Sequence, residues 1–428
     1  MPPFGRHKRS TAGRLRRLSS FAVSLRSPRN DNSRLYAIRL QDPSYLSSGP
    51  TYSRPAVGKN RKNIMKYPIR ILILLLFTVQ ISFGQHSATF SAEYRSVMQD
   101  SVTYEIPEVS ELFHVVAALT SFGKGNTELI DKSTDYYQEV LNHFEEYQEH
   151  RLIKKFQKEL RRNRYNRLKM DACGFFFNDN GKIEKDTTYP TLSFESKNWL
   201  EPYIEQLEDF SNQANFRSFY ESHKDFYNQQ IFLQREQLAV KSHWEWLEEK
   251  FENRFQSYRI TFSPLVYGSH SANYFIDNDF SQSIMFIGPP YVTDKYSKKQ
   301  LEGLAGRMVF TEIDHNYINP LSSRYHEEIK TFIDDLEKWN NMKYRDYPTA
   351  LSTFNEYMTY AFYSLYVTDN YNKEDAELII KRCEEVMINR GFIRFSEFNQ
   401  NLIKFYSQQK NSTGEELYQS IFSGEFKK

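Results

Sequence analysis

Apolar side chains recur at helical spacing along most of this chain. After Ile106, residues Val109, Leu112, Phe113, Val116 and Leu119 share one helical face, Pro107 suits the first turn, and Gly123-Lys124-Gly125-Asn126 closes the segment. Residues 127–170 continue the pattern with Tyr137, Val140, Leu141, Phe144 and Tyr147. Between Cys173 and Leu192, Asn178-Asp179-Asn180-Gly181 predicts a turn, and so a hairpin or loop. Residues 197–258 hold no Gly and no Pro after Pro202, and their charged periodicity predicts two or three helices. The pattern changes at Arg259. Ile260–Tyr267 and Ser283–Ile287 are β-rich runs separated by turn residues, with Gly288-Pro289-Pro290 closing the second. Lys298–Ile318 is periodic again and is expected to stop at Asn319-Pro320. Further helices are predicted at about 324–341, 348–368, 373–390 and 394–408. A small sheet ahead of one long helix, among many other helices, is an α+β arrangement, mostly α-helical. It divides into a helical N-terminal region, 105–258, packed on a second region, 259–428, with residues 86–104 as an extended leader.

The N-terminus follows a different rule. Residues 1–64 are rich in Arg, Ser and Pro and carry no sustained apolar period. Then come Lys66 and Arg70, the apolar run Ile71–Phe77 extending to Ile81, and the small-residue stretch Ser82-Phe83-Gly84 before Gln85. That order is a secretory signal over 65–85, starting at Met65, too short for a comfortable membrane span. Residues 1–64 then read as upstream sequence outside the natural protein, or as a disordered basic segment. No cysteine follows the apolar run, so no stable membrane anchor is expected after cleavage, and the product is periplasmic or secreted.

Charge changes with this division. The whole chain is +2, but the first 64 residues hold 14 Lys and Arg against two acidic residues, Asp31 and Asp42. Removing them from totals of 56 and 54 leaves 42 against 52, a net charge of −10. Basic and acidic residues are mixed throughout, so nucleic acid is not an expected partner. The run Lys154–Arg164 reads as the solvated face of a helix. Two cysteines, Cys173 and Cys383, exclude a disulfide-built scaffold, and 30 Tyr with 34 Phe predict an aromatic core.

The chemistry concentrates in Val309-Phe310-Thr311-Glu312-Ile313-Asp314-His315-Asn316-Tyr317-Ile318-Asn319-Pro320. A His-Glu-x-x-His helix sets two imidazoles four residues apart on one metal, with the Glu between them activating a bound water. Here Thr311 stands where the first His belongs. Positions 311 and 315 lie about 40° apart around a helix, with Glu312 about 80° to one side and Asp314 similarly to the other. Glu356, in the apolar run Phe354–Phe362, is the candidate third ligand, because a buried carboxylate is costly unless paired or metal-bound. Asp314 and His270 are the substitute ligands to consider, with His326 behind them; each also reads as an ordinary solvated residue. Tyr317 and Tyr360 could donate to an oxyanion but read first as core, as does the His243-Trp244-Glu245-Trp246 cluster.

These residues resemble an uncharacterised family of exported bacterial proteins with a gluzincin-type metallopeptidase domain. Its members carry His-Glu-x-x-His, an aromatic residue, Val/Ile-Asn-Pro and a downstream Glu. Glu111-Leu112, Glu312, His315, Tyr317-Ile318-Asn319-Pro320 and Glu356 match, over roughly residues 105–408. The resemblance implies a gluzincin-like second region, a zinc cofactor held by His315 and Glu356, and Glu312 as the catalytic base. Thr311 departs from it at the first ligand position. Two expectations follow: a zinc peptidase acting on a peptide or protein substrate, or a catalytically inactive pseudo-peptidase binding a peptide or envelope partner.

Overall fold

Ser257–Phe262 and Phe280–Ile287 bury almost every side chain on both faces, as interior strands must when helices cover a sheet. In a computed structural model of the protein, which describes residues 86–126, 129–341 and 347–427, they lie side by side at the centre of the main sheet. The strands in chain order are β1 (His86–Ser87), β2 (Ser101–Glu105), β3 (Phe175–Phe177), β4 (Ile183–Lys185), β5 (Ser257–Phe262), β6 (Ser271–Asp277) and β7 (Phe280–Ile287). The main sheet runs β1-β6-β7-β5-β2. Only β6 and β7 are antiparallel in it, joined by a two-residue turn in which Asn278 takes a positive φ of 55°. Ile260 of β5 sits between Tyr104 of β2 and Met285 of β7. Strands β3 and β4 form the expected hairpin about Asn178–Gly181.

The helices before β5 are α1 (Ala92–Met98), α2 (Glu108–Leu119), α3 (Ser121–Gly125), α4 (Asp135–Phe144), α5 (Arg151–Arg161), α6 (Tyr165–Ala172), α7 (Ile204–Gln213), α8 (Phe216–Ser222), α9 (Lys224–Leu238) and α10 (Val240–Lys250). After β7 come α11 (Lys298–Arg324), α12 (His326–Phe332), α13 (Ala350–Asn370), α14 (Lys373–Asn389), α15 (Phe395–Gln408) and α16 (Gly414–Ser423). The fold is α+β and mostly helical. One aromatic-rich core runs from Ile106 to Phe426, and a smaller cluster around Phe90, Tyr189, Phe275 and Phe280 covers the β1–β6 end of the sheet. No helix among the described residues is long and apolar enough to cross a membrane. Cys173 and Cys383 are both buried and unpaired. The basic segment 1–64 and the expected signal 65–85 lie outside the described residues.

Several expectations change. Residues 86–104 are not a leader but form β1, α1 and β2, and β2 pairs with β5 in parallel. Residues 197–258 form four α-helices, because Asn215 and Ala239 take left-handed φ values of 49° and 48° and break the run without Gly or Pro. Strand β6 and helix α16 were not predicted at all. The motif helix α11 also runs through Pro320 to Arg324. Proline cannot donate to the carbonyl four residues earlier. That carbonyl, of Asn316, instead accepts from Asn253 Nδ2 at 2.9 Å.

α11 is embedded among α9, α10, α13 and α14. Two glycines permit this. A Cβ on Gly303 would come 2.2 Å from Ile379 Cδ1, and one on Gly306 would come 3.0 Å from His243 Cε1. His243, Trp244 and Trp246 are core residues on α10, with the Trp244 and Tyr258 ring centroids 4.9 Å apart and Trp246 Nε1 donating to Asp369 at 2.9 Å.

Candidate functional site

Arg307, Thr311 and His315 recur every four residues and so share one face of α11. The facing helix α13 presents Glu356, Thr359 and Tyr360, and Arg390 enters at the C-terminal end of α14. His315 Nε2 lies 3.4 Å from Glu356 Oε1. The other carboxylate oxygen, Glu356 Oε2, accepts from Arg390 Nη2 at 2.7 Å, and the same nitrogen donates to Tyr347 Oη at 2.5 Å. On its far side His315 Nδ1 is 3.4 Å from Asn319 Oδ1 and 3.5 Å from Thr359 Oγ1. Gly391, with a φ of 98°, ends α14 and fixes where Arg390 leaves it.

The electrostatics follow from this packing. Burial disfavours charge on His315, but the hydrogen bond and charge of Glu356, with Asp314 and Glu312, outweigh it and raise its pKa to about 9. Burial likewise opposes ionisation of Glu356, yet Arg390 and His315 hold it down at about 2. The pair is therefore an imidazolium facing a carboxylate at neutral pH. Glu312 is half-buried; burial raises its pKa, with Glu356 adding to the rise and His315, Lys169 and Arg390 opposing it.

The other residues singled out by sequence fall as follows. Thr311 is buried, and its hydroxyl donates to the Met308 carbonyl of its own helix at 3.0 Å. Asp314 is not solvated or capping. It is fully buried in mid-helix, both carboxylate oxygens lack a hydrogen-bond partner, and burial pushes its pKa well up. A helical period could not reveal this, because α11 is enclosed on nearly every side. His270 is half-buried; its Nδ1 accepts from the Gly288 N–H at 3.3 Å, and burial, then Lys169 and Arg307, lower its pKa to about 3. His326 is exposed at the start of α12. Tyr317 is core, 3.0 Å from Tyr258 Oη. Tyr360 lies near two guanidiniums, with Arg390 Cζ 5.1 Å and Arg307 Cζ 5.6 Å from its ring centroid. Glu111 is fully buried beneath Tyr136, which donates to it at 2.7 Å, and burial raises its pKa to about 7.

The donor set argues against a resident zinc ion. One imidazole and one carboxylate converge, but an arginine already neutralises that carboxylate, and the threonine hydroxyl is committed to its own backbone. Zinc needs several anionic or imidazole donors, and a neutral hydroxyl is a poor substitute. Among the described residues no three His, Cys, Asp or Glu side chains converge as a metal cage. A surface groove of about 490 Å³ lies elsewhere, lined by Glu139, His143, Phe219 and His223 among others, with no residue from α11 or α13. Arg390 and Arg307 were not singled out from sequence. Arg307 was within reach of the same four-residue spacing that pairs 311 with 315, whereas nothing local marks Arg390. Compared with known protein families, curated proteins and solved structures, the chain matches none.

Proposed function

We propose that this chain is an exported pseudo-peptidase: a protein with a gluzincin-like helix pair that has lost its metal site and binds a peptide or protein partner. The observation that carries the reading is the Arg390–Glu356–His315 chain, at 2.7 Å and 3.4 Å. Arg390 supplies a permanent positive charge against Glu356, the position where the resemblance calls for a zinc ligand. Export rests on the apolar run and its basic flank over 65–85. The second reading is an active zinc peptidase with Glu312 as base and His315 and Glu356 as ligands. It is favoured by the convergence of those two side chains on one point.

Metal content separates the two. The full chain would be dialysed against trace zinc beside Thr311→His and the double variant Thr311→His/Arg390→Leu. We expect the natural chain to retain no zinc, the single variant to bind weakly because Arg390 still holds Glu356, and the double variant to bind about one ion per chain. One tightly held zinc in the natural chain, with peptide hydrolysis that a chelator abolishes, would establish the second reading instead.

A further inference from the structure

We propose that Arg307 and the donor groups around it form a carboxylate-binding subsite that takes the carboxylate of a peptide partner. The choice of ligand rests on the peptide-binding reading above. Arg307 is only 8% exposed, yet no carboxylate pairs with it among the described residues. Its one protein hydrogen bond is long, from Nη1 to Tyr360 Oη at 3.4 Å. The half-buried arginines Arg259 and Arg390 are compensated, by Glu105 and Glu356 respectively. A charge taken out of water without a counter-ion is expensive and persists where a ligand supplies the opposite charge. Arg307 Nε and Nη2 are not sealed in, so the unused side of the fork can receive one.

The neighbours are donors too. His270 accepts the Gly288 N–H at Nδ1, which places its proton on Nε2, and Nε2 is buried without a partner. Lys169 is 2% exposed and donates only to neutral oxygens, Ser269 O at 2.7 Å, Phe286 O and Ser269 Oγ at 3.4 Å each. Lys169 and His270 meet the same two backbone segments, 269–270 and 286–288, and the charge of Arg307 also bears on His270. The Glu312 carboxylate bears on Lys169, and no carboxylate pairs with Arg307 among the described residues. A single negative charge suits one unpaired guanidinium.

The test uses the full chain and fluorescein-labelled hexapeptide pools in three forms: free C-terminus, amidated C-terminus, and amidated with one internal Glu. N-acetylglycine serves as a probe of the subsite alone. We expect the free-acid pool to bind on the order of tenfold tighter than the amidated pool, and Arg307→Gln to remove that difference. Equal rescue by the internal Glu pool would identify a side-chain carboxylate as the source. N-acetylglycine binding that needs Arg307, with no pool bound, would support the subsite and sink the peptide reading. Pools that bind the natural and Arg307→Gln chains alike would overturn the subsite and leave the peptide reading standing. A chain that binds neither pools nor N-acetylglycine overturns both. Arg307→Met gives a second readout without ligand. Removing an uncompensated charge should raise the melting temperature by about 2 °C or more. A fall, or failure of either variant to fold, would mark Arg307 as structural and overturn the proposal.

Discussion

The His315–Glu356 contact fixes a pH window. His315 titrates at about 9 in the fold against 6.5 for a free imidazole, so its contribution is complete below about 6.5 and is lost as pH rises through 9. Glu356 titrates at about 2 against 4.5, so its contribution is complete above 4.5 and is lost as pH falls through 2. The pair is at full strength between these limits, from 4.5 to 6.5. His315→Gln leaves Glu356 bonded to Arg390 while removing the imidazolium. We expect the natural protein to lose melting temperature between pH 6.5 and 9 relative to this variant, whose own profile lacks that decline. Identical pH profiles would show that His315 is not held charged. At this scale the sequence was legible where spacing along one helix sets the answer. Thr311 and His315 do share a face, and Glu356 does approach it from α13. It was not legible where tertiary packing decides. Arg390 reaches Glu356 from 34 residues away, and no local pattern announces that.

α11 carries the site because its surroundings leave it little freedom. Its first turns pass so close to α14 that Gly303 has no room for a methyl group beside Ile379. Gly303→Ala would ordinarily favour a helix, but overpacking here should cost about 1–3 kcal/mol and outweigh the gain. Ile379→Val in the same chain removes Cδ1, the nearest obstacle, and should recover much of the loss in a double-mutant cycle read by denaturant unfolding. A Gly303→Ala chain more stable than the natural one would show that the two helices can part freely. The elements themselves differ in how far sequence could define them. α13, α14 and α15 lie within two residues of their expected ends because their periods are long, and α11 starts where expected, at Lys298. The breaks at Asn215 and Ala239 were missed because the backbone turns left-handed there without glycine. Pro320 misled for the opposite reason: a side chain from another element, Asn253, satisfies the carbonyl that proline strands. α16 was legible in principle, since Thr413 and Glu416 form a capping box in the fold.

The two regions that composition separates share one sheet and one core. β2 arrives from before the first long helix and lies against β5, with Val102 beside Tyr258 and Tyr104 beside Ile260. β1 extends the opposite side against β6. The main core holds Val109 and Phe113 of α2 together with Phe310, Tyr357 and Phe398 of the later helices. Each region therefore lacks part of what it must bury. A chain starting at residue 259 would leave the β5 edge unpaired and the sheet face bare, which invites aggregation. A chain starting at residue 106 keeps α2 but loses β1 and β2, so the same edge of β5 and the flank of β6 stand open. We expect neither to give the single cooperative melting transition of the chain from residue 86, and we expect limited proteolysis to cut both within the sheet strands. The measurement is calorimetry on the three chains side by side. If residues 259–428 alone melted cooperatively at the temperature of the longer chain, the motif helices would be an autonomous domain and the N-terminal strands an accessory to it. The shared sheet argues the reverse: the position of α11, and with it the meeting of His315 and Glu356, depends on strands supplied some two hundred residues earlier in the chain.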